Sequence, residues 1–309
     1  MPPSYAPSGL QSGPPADLRA RVEAATGRAW LACSRPRTGL SAAHRFIVQL
    51  EGGSVVFVKA ATTPETADWL RNEHFAIQVA PADLTPRTLA WLEDDAAKPI
   101  LIVDALLDGH WPAGPGGTNW RPGDLPMVLN AIRRLGEQPA DALPPARSAK
   151  SAGWRNILRS PEGFLRLGLC STAWLAGHGE TLAEAENRVV RTGAAFVHGD
   201  VRSDNIWVGA QGVKFVDWSN ARRGAPETDL AEFLPTAHLE GGPPPHDIFP
   251  EGGGWGAAQG SELALRAIAD EAAPNWLRRV FLRLAAINID WALQSLQLPP
   301  RDGPHWKGV

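Results

Sequence analysis

Apolar and polar positions alternate in two neighbouring runs, His44–Leu50 and Val55–Ala60. The Glu51-Gly52-Gly53-Ser54 between them has the composition of a hairpin turn. Before them, Asp17 to Thr26 predicts a helix stopped by Gly27. After them, Pro64 to Ala80 predicts a helix with an apolar stripe of Trp69, Leu70, Phe75, Ile77 and Val79, ended by Pro81. Leu89–Glu93 and Ile100–Leu106 are the next strand candidates. Gly109 to Gly123 (GHWPAGPGGTNWRPG) then predicts a long turn-rich loop. Beyond it the period becomes helical, over Leu125–Leu135, Ala152–Leu167, Thr181–Arg191, Asp229–Leu239, Ser261–Glu271 and Trp276–Leu298. Short β-like pieces interrupt this at Ala195–Val197, Ile206–Val208 and Val213–Val216, and a second Gly- and Pro-rich loop is expected over Gly241–Gly256. The pattern predicts an α+β protein. A loose tail at residues 1–16 precedes a small β-rich N-terminal lobe at 17–103 and a larger, mainly helical C-terminal lobe at 104–309.

Composition narrows the classes. Of 309 residues, 44% are hydrophobic and 20% charged, enough apolar material for a sizeable core and too much for a mainly disordered chain. The net charge of −3 carries no basic excess that would point to nucleic acid or an anionic membrane surface. Cys33 and Cys170 are too few for a zinc cluster or a disulfide framework and fit a reducing cytoplasm. The most apolar stretch, Phe281 to Leu298, is broken by Arg283, Asp290 and Gln294, so no membrane span is expected. Thirteen Trp against one Tyr read first as packing residues and second as a wall for an apolar or sugar ligand. No GxxxxGK[ST], GxSxG or HExxH occurs. Gly252 to Ala257 matches GxGxxA by letters but follows Pro-rich sequence and no strand, which argues against a dinucleotide site.

The chemistry concentrates in FVHGDVRSDNIWVGAQGVKFVDW, residues 196–218. His198-Gly199-Asp200 is followed five residues later by Asn205, and Asp217 ends the second of two β-like runs that straddle Gly209-Ala210-Gln211-Gly212. A hairpin there brings Asp200, Asn205 and Asp217 to one end. Upstream, Lys59 lies in the strand VVFVKA and Glu73 in the helix after it, with Glu65 as an alternative partner. Together these residues resemble the aminoglycoside phosphotransferase family of the protein-kinase-like fold. The resemblance spans about residues 35–240, where Ile100–Leu107 takes the hinge position and Asp229-Leu230-Ala231 the later acidic motif.

What the resemblance implies is an O-phosphotransferase that moves the γ-phosphoryl of ATP or GTP to a hydroxyl, with Mg²⁺. Phosphoryl transfer needs positioning and charge neutralisation above all. Asp200 is then the base and His198 orients its loop. Asn205 and Asp217 supply hard oxygen ligands to Mg²⁺. Lys59 anchors phosphates and Glu73 aims it. Val103 and Ala105 flank the base at the hinge. Thr38 to His44 stands where a phosphate loop belongs, but holds one Gly, and Ser41 is its candidate contact. The expected acceptor is a small hydroxylated molecule, with amino sugars and amino alcohols among the candidates. Residues 226–309 carry 11 acidic and 6 basic side chains, a sign that suits a cationic one. Two alternatives stay open: a catalytically weak nucleotide-binding regulator of the same fold, and a protein kinase. The second is disfavoured by the short connection ARRGAPET before Asp229, which leaves little room for a peptide-binding segment.

Overall fold

The computed structural model describes residues 13–36, 42–94, 97–114, 116–146, 152–270 and 274–309. The chain forms two compact units, Met1–Pro144 with Ala194–Pro226, and Pro145–Gly193 with Glu227–Val309. Ser41 and most of the expected phosphate loop lie outside the described residues, as do the first twelve residues of the expected tail.

The first unit is built on a five-stranded antiparallel sheet. Helix α1 (Ala16–Thr26) ends where Gly27 adopts φ 64° and returns its N–H to the Glu23 carbonyl at 2.9 Å. Strands β1 (Trp30–Ser34), β2 (His44–Leu50) and β3 (Val55–Ala60) follow. Then come α2 (Pro64–Val79), β4 (Thr88–Asp94) and β5 (Ala97–Asp104), giving the order β1-β2-β3-β5-β4. Strand β1 escapes sequence reading because only Trp30 of its five residues is buried, so no alternation is visible. Pleating sorts the other strands cleanly. Phe46, Val48, Val56, Val58, Ile100 and Ile102 join Leu18 and Val22 of α1 in one core. The alternate positions Arg45, Ile47, Phe57, Lys59, Leu101 and Val103 line a cavity.

Helix α2 corrects one expectation. Its buried line is Ala67, Leu70, Glu73, Ala76 and Ile77, while Trp69, Phe75 and Val79 are each 41% exposed. Small residues, and one acid, let that line pack closely, so size is a poor guide to its inner face. Its start is secured by a reciprocal capping box. The Thr63 hydroxyl accepts from the Thr66 N–H at 3.2 Å, and the Thr66 hydroxyl accepts from the Thr63 N–H at 2.9 Å.

The expected loop at 109–123 holds three two-residue strands, β6 (Gly109–His110), β7 (Ala113–Gly114) and β8 (Gly117–Thr118). Helix α3 (Asp124–Gly136) follows, and much later β9 (Ala195–Val197), β10 (Ile206–Gly209), β11 (Gly212–Phe215) and β12 (Arg222–Gly224). Strand β6 is invisible locally because its partner is distant in sequence: His110 pairs with Val208 of β10. Strands β10 and β11 form the expected hairpin, with Ile206 opposite Phe215 and Gly209 opposite Gly212.

The second unit is helical: α4 (Gly153–Arg159), α5 (Glu162–Leu165), α6 (Thr172–Asn187), α7 (Thr228–Leu239), α8 (Pro245–Ile248), α9 (Gly253–Ala269) and α10 (Asn275–Ser295). The single helix expected over 152–167 is broken at Ser160-Pro161, where proline lacks the donor a continuing helix needs. Helix α6 starts at Thr172 under a Ser171 cap, well before the expected Thr181. Helix α9 starts inside the expected Gly-rich loop at 241–256. A Cβ on Gly256 would lie 2.7 Å from the Asn288 carbonyl, and one on Gly260 would lie 2.9 Å from Ile289. These glycines admit α10 at close range. Trp154, Trp218 and Trp291 are fully buried, the packing role expected first of the tryptophans. Cys33 is exposed and Cys170 buried, both as free thiols. Among the described residues no helix is long and apolar enough to cross a membrane.

Candidate active site

Lys59 reaches the cavity because it sits one pleat below Phe57 on β3. Its Nζ donates to both Glu73 oxygens, at 2.9 and 2.7 Å, and to Asp217 Oδ1 at 3.0 Å. Glu73, 5% exposed on the inner line of α2, is therefore the partner, and Glu65 lies in the first turn of that helix. Burial opposes the charge on Lys59, but the two carboxylates outweigh it and hold its pKa above the usual value. Burial pushes Glu73 up despite Lys59. For Asp217 burial is again overcome, by Lys59 with help from His198 and Arg45, and its pKa falls. The pair Lys59–Asp217 thus stays ionised.

The loop after β9 is held by its own side chains. His198 is buried and neutral, its pKa pulled down to about 4 chiefly by burial. Its Nε2–H donates to the Val216 carbonyl at 3.1 Å and its Nδ1 accepts the Asp200 N–H at 3.2 Å. Trp218 packs against the imidazole with ring centres 4.4 Å apart. Asn205 Nδ2 donates to the Asp200 carbonyl and to Asp200 Oδ2, both at 3.0 Å. The Val216 N–H returns to the Asn205 carbonyl at 3.0 Å, stitching the loop to the strand that delivers Asp217. Asp217 itself has φ 66° and ψ 58°, an uncommon left-handed geometry for a residue with a side chain.

Asp200 is held on both oxygens. Arg202 Nε lies 3.1 Å from Oδ1, opposite the Asn205 contact on Oδ2. Burial raises its pKa, Arg202 opposes, and the nearby Asp217 and Asp204 add to the rise. A carboxylate raised in this way is a better proton acceptor near neutrality.

Of these groups, Lys59, Glu73, Arg202, Asn205 and Asp217 line one end of a cavity of about 330 Å³, whereas Asp200 and His198 stand behind that lining in the loop that carries Asn205. The cavity's other end is apolar, with Ile47, Phe57, Leu101 and Val103, and it extends past Ala105 to Trp111. A charged end and a flat apolar slot fit a nucleotide. The donor set also fits magnesium. Asn205 spends its side-chain N–H groups on Asp200, and its Oδ1 is a hard acceptor. Asp217 Oδ2 remains beside the Oδ1 that meets Lys59. Among the described residues no cluster of three His, Cys, Asp or Glu could hold a metal. Asn205 and Asp217 are hard-oxygen groups of the kind magnesium takes beside water and phosphate ligands.

The structure thus brings Lys59, Glu73 and Asp217 together, and holds Asp200, His198 and Asn205 in one loop. Val103 and Ala105 lie on the same cavity wall. Asp229, expected after them, is buried in the first turn of α7 in the second unit. Sequence reading missed Arg45, Phe57 and Arg202, because strand register and a short ion pair, not local pattern, bring them to the cavity.

Solved structures share this fold. The chain matches a choline/ethanolamine kinase family protein from Mesorhizobium loti at 16% identity and TM-score 0.57, over 91% of this chain and 98% of that one. It matches a spectinomycin phosphotransferase, solved with ADP and spectinomycin, at 13% identity and TM-score 0.56, over 93% and 100%. A macrolide 2'-phosphotransferase from Brachybacterium faecium aligns at 14% identity and TM-score 0.51, over 87% and 98%. The class is therefore the protein-kinase-like fold, with a β-sheet N-terminal region and a helical C-terminal region. No curated protein matches. The family follows from the sequence match: residues 9–267 fit the phosphotransferase enzyme family, and the chain belongs to it.

Proposed function

We propose that this protein is a magnesium-dependent small-molecule O-phosphotransferase using ATP or GTP. The observation that carries the reading is the joining of Lys59, Glu73 and Asp217 in one ion-paired group at the charged end of a nucleotide-sized cavity. Asp200 accepts the proton of the acceptor hydroxyl. His198, neutral and bonded on both nitrogens, orients that loop and transfers no proton. Lys59 meets the phosphates and Glu73 fixes its direction. Val103 and Ala105 flank the base, and Phe57 stacks against it. Asn205 and Asp217 would hold Mg²⁺, which when bound neutralises charge on the transferring phosphoryl group. An aminoglycoside-like amino sugar or an amino alcohol is the acceptor class the acidic helical residues favour.

The test is acceptor-dependent release of ADP and GDP with magnesium, across aminoglycosides, macrolides, amino alcohols and sugars. One class should stimulate release, and Asp200→Asn should lower kcat by about 10²–10⁴-fold. Full turnover by Asp200→Asn would remove the assigned base. Asp217→Ala should abolish metal-dependent nucleotide binding. Nucleotide binding without turnover on any acceptor would favour the regulator reading.

A further inference from the structure

Arg45 of β2 stands directly across from Lys59 of β3, and both line the charged end of the cavity. Burial depresses the Arg45 pKa, against the pull of Asp217, Glu73 and Asp204. A guanidinium beside the lysine on the cavity wall suits an anionic ligand.

Donor accounting points the same way. An ammonium has three N–H donors, and Lys59 directs its three at Glu73 Oε1, Glu73 Oε2 and Asp217 Oδ1. Arg202 spans Asp200 and Asp204 at 3.1 and 3.3 Å. Four carboxylates, Glu73, Asp104, Asp204 and Asp217, line the same cavity. The sequence just before β2, Thr38 to His44, holds one glycine, Gly39. A guanidinium at the start of β2 supplies a planar fork of donors that matches phosphate oxygens.

We propose that Arg45 is a phosphate-binding residue of the nucleotide site, compensating for the glycine-poor segment before it and for a lysine already engaged by carboxylates. This rests on the reading of the cavity as a nucleotide site. The prediction is a loss of affinity that depends on phosphate and not on the base.

Calorimetry on the full chain would compare adenosine and guanosine with ATP and GTP, for the wild type, Arg45→Met and Arg45→Lys. Arg45→Met should weaken the preferred triphosphate about 10- to 100-fold and leave the nucleoside within twofold. Arg45→Lys should fall between, since it keeps the charge and loses the fork. Thermal melts of each variant without ligand would separate a loss of fold from a loss of phosphate binding. Triphosphate affinity unchanged within twofold, or equal losses for nucleoside and triphosphate, would overturn the assignment while leaving the cavity a nucleotide site. A wild type that binds neither triphosphate would overturn the nucleotide reading itself, and this inference with it.

Discussion

Gly199 has φ 78°, and a Cβ there would lie 1.9 Å from Arg222 Nη1 and 2.8 Å from the Asn220 carbonyl. The arginine can swing aside, but the backbone oxygen cannot, and an L side chain disfavours that φ. Gly199→Ala should therefore cost about 1–3 kcal/mol in urea unfolding. Adding Arg222→Ala should recover only part of it. The neighbouring His198 sets a pH dependence. Its folded pKa of about 4 lies below the ordinary 6.5, so the unfolded chain binds the extra proton. Stability from this group is complete above about 6.5 and is lost as pH falls toward 4. Between pH 7 and pH 5 the loss should be about 2 kcal/mol. His198→Asn should flatten that slope in parallel urea titrations. Residues in the 196–218 segment were legible because they sit within one hairpin of each other. Arg202 of the same segment was not, because only its ion pairs with Asp200 and Asp204 bring it to the site, and neither were Arg45 and Phe57. An arginine or a phenylalanine in an alternating strand has no local mark of facing a cavity, and only the partner strand's register reveals it.

Elements show the same division between local and distant causes. The β2–β3 hairpin and α2 could be read because turn composition, capping threonines and Pro64 all act within a few residues. The inner face of α2 was misjudged because Glu73 lies on the buried line that exposed Trp69 and Phe75 appeared to claim. The early starts of α6 and α9 were hidden by glycine, which lowers intrinsic helix propensity yet is required where another helix presses in. The cap of α2 offers a direct test. Thr66→Val removes the hydroxyl that accepts the Thr62 and Thr63 N–H groups, both at 2.9 Å. It should cost about 1–2 kcal/mol by urea unfolding and weaken nucleotide binding as Glu73 loosens, whereas Thr66→Ser should retain both.

At the scale of the molecule, each unit has its own organising contact. In the helical unit that contact is Glu186, buried on α6. It accepts from the Gly153 and Trp154 N–H groups of α4 at 3.1 and 3.0 Å, and from the Ser261 hydroxyl of α9 at 2.6 Å. One carboxylate thus satisfies a helix start and joins three helices. Glu186→Ala should cost about 2–4 kcal/mol in thermal or urea unfolding, because the Gly153 and Trp154 N–H groups lose their acceptor, whereas the Ser261 hydroxyl keeps the Ala258 carbonyl. In the sheet-bearing unit the contact is the Lys59–Glu73–Asp217 group, whose members are far apart along the chain. The unit is discontinuous, and residues 145–193 of the other unit are made before Asp217 is. At ordinary elongation speeds the ribosome needs roughly 7–30 s to travel from codon 73 to codon 217. Until Asp217 is made, Lys59 has one of its two carboxylate partners, Glu73. Helices α4 to α6 wait in the same way for α9 and α10, so the speed of translation sets how long both halves stay exposed to chaperones and proteases.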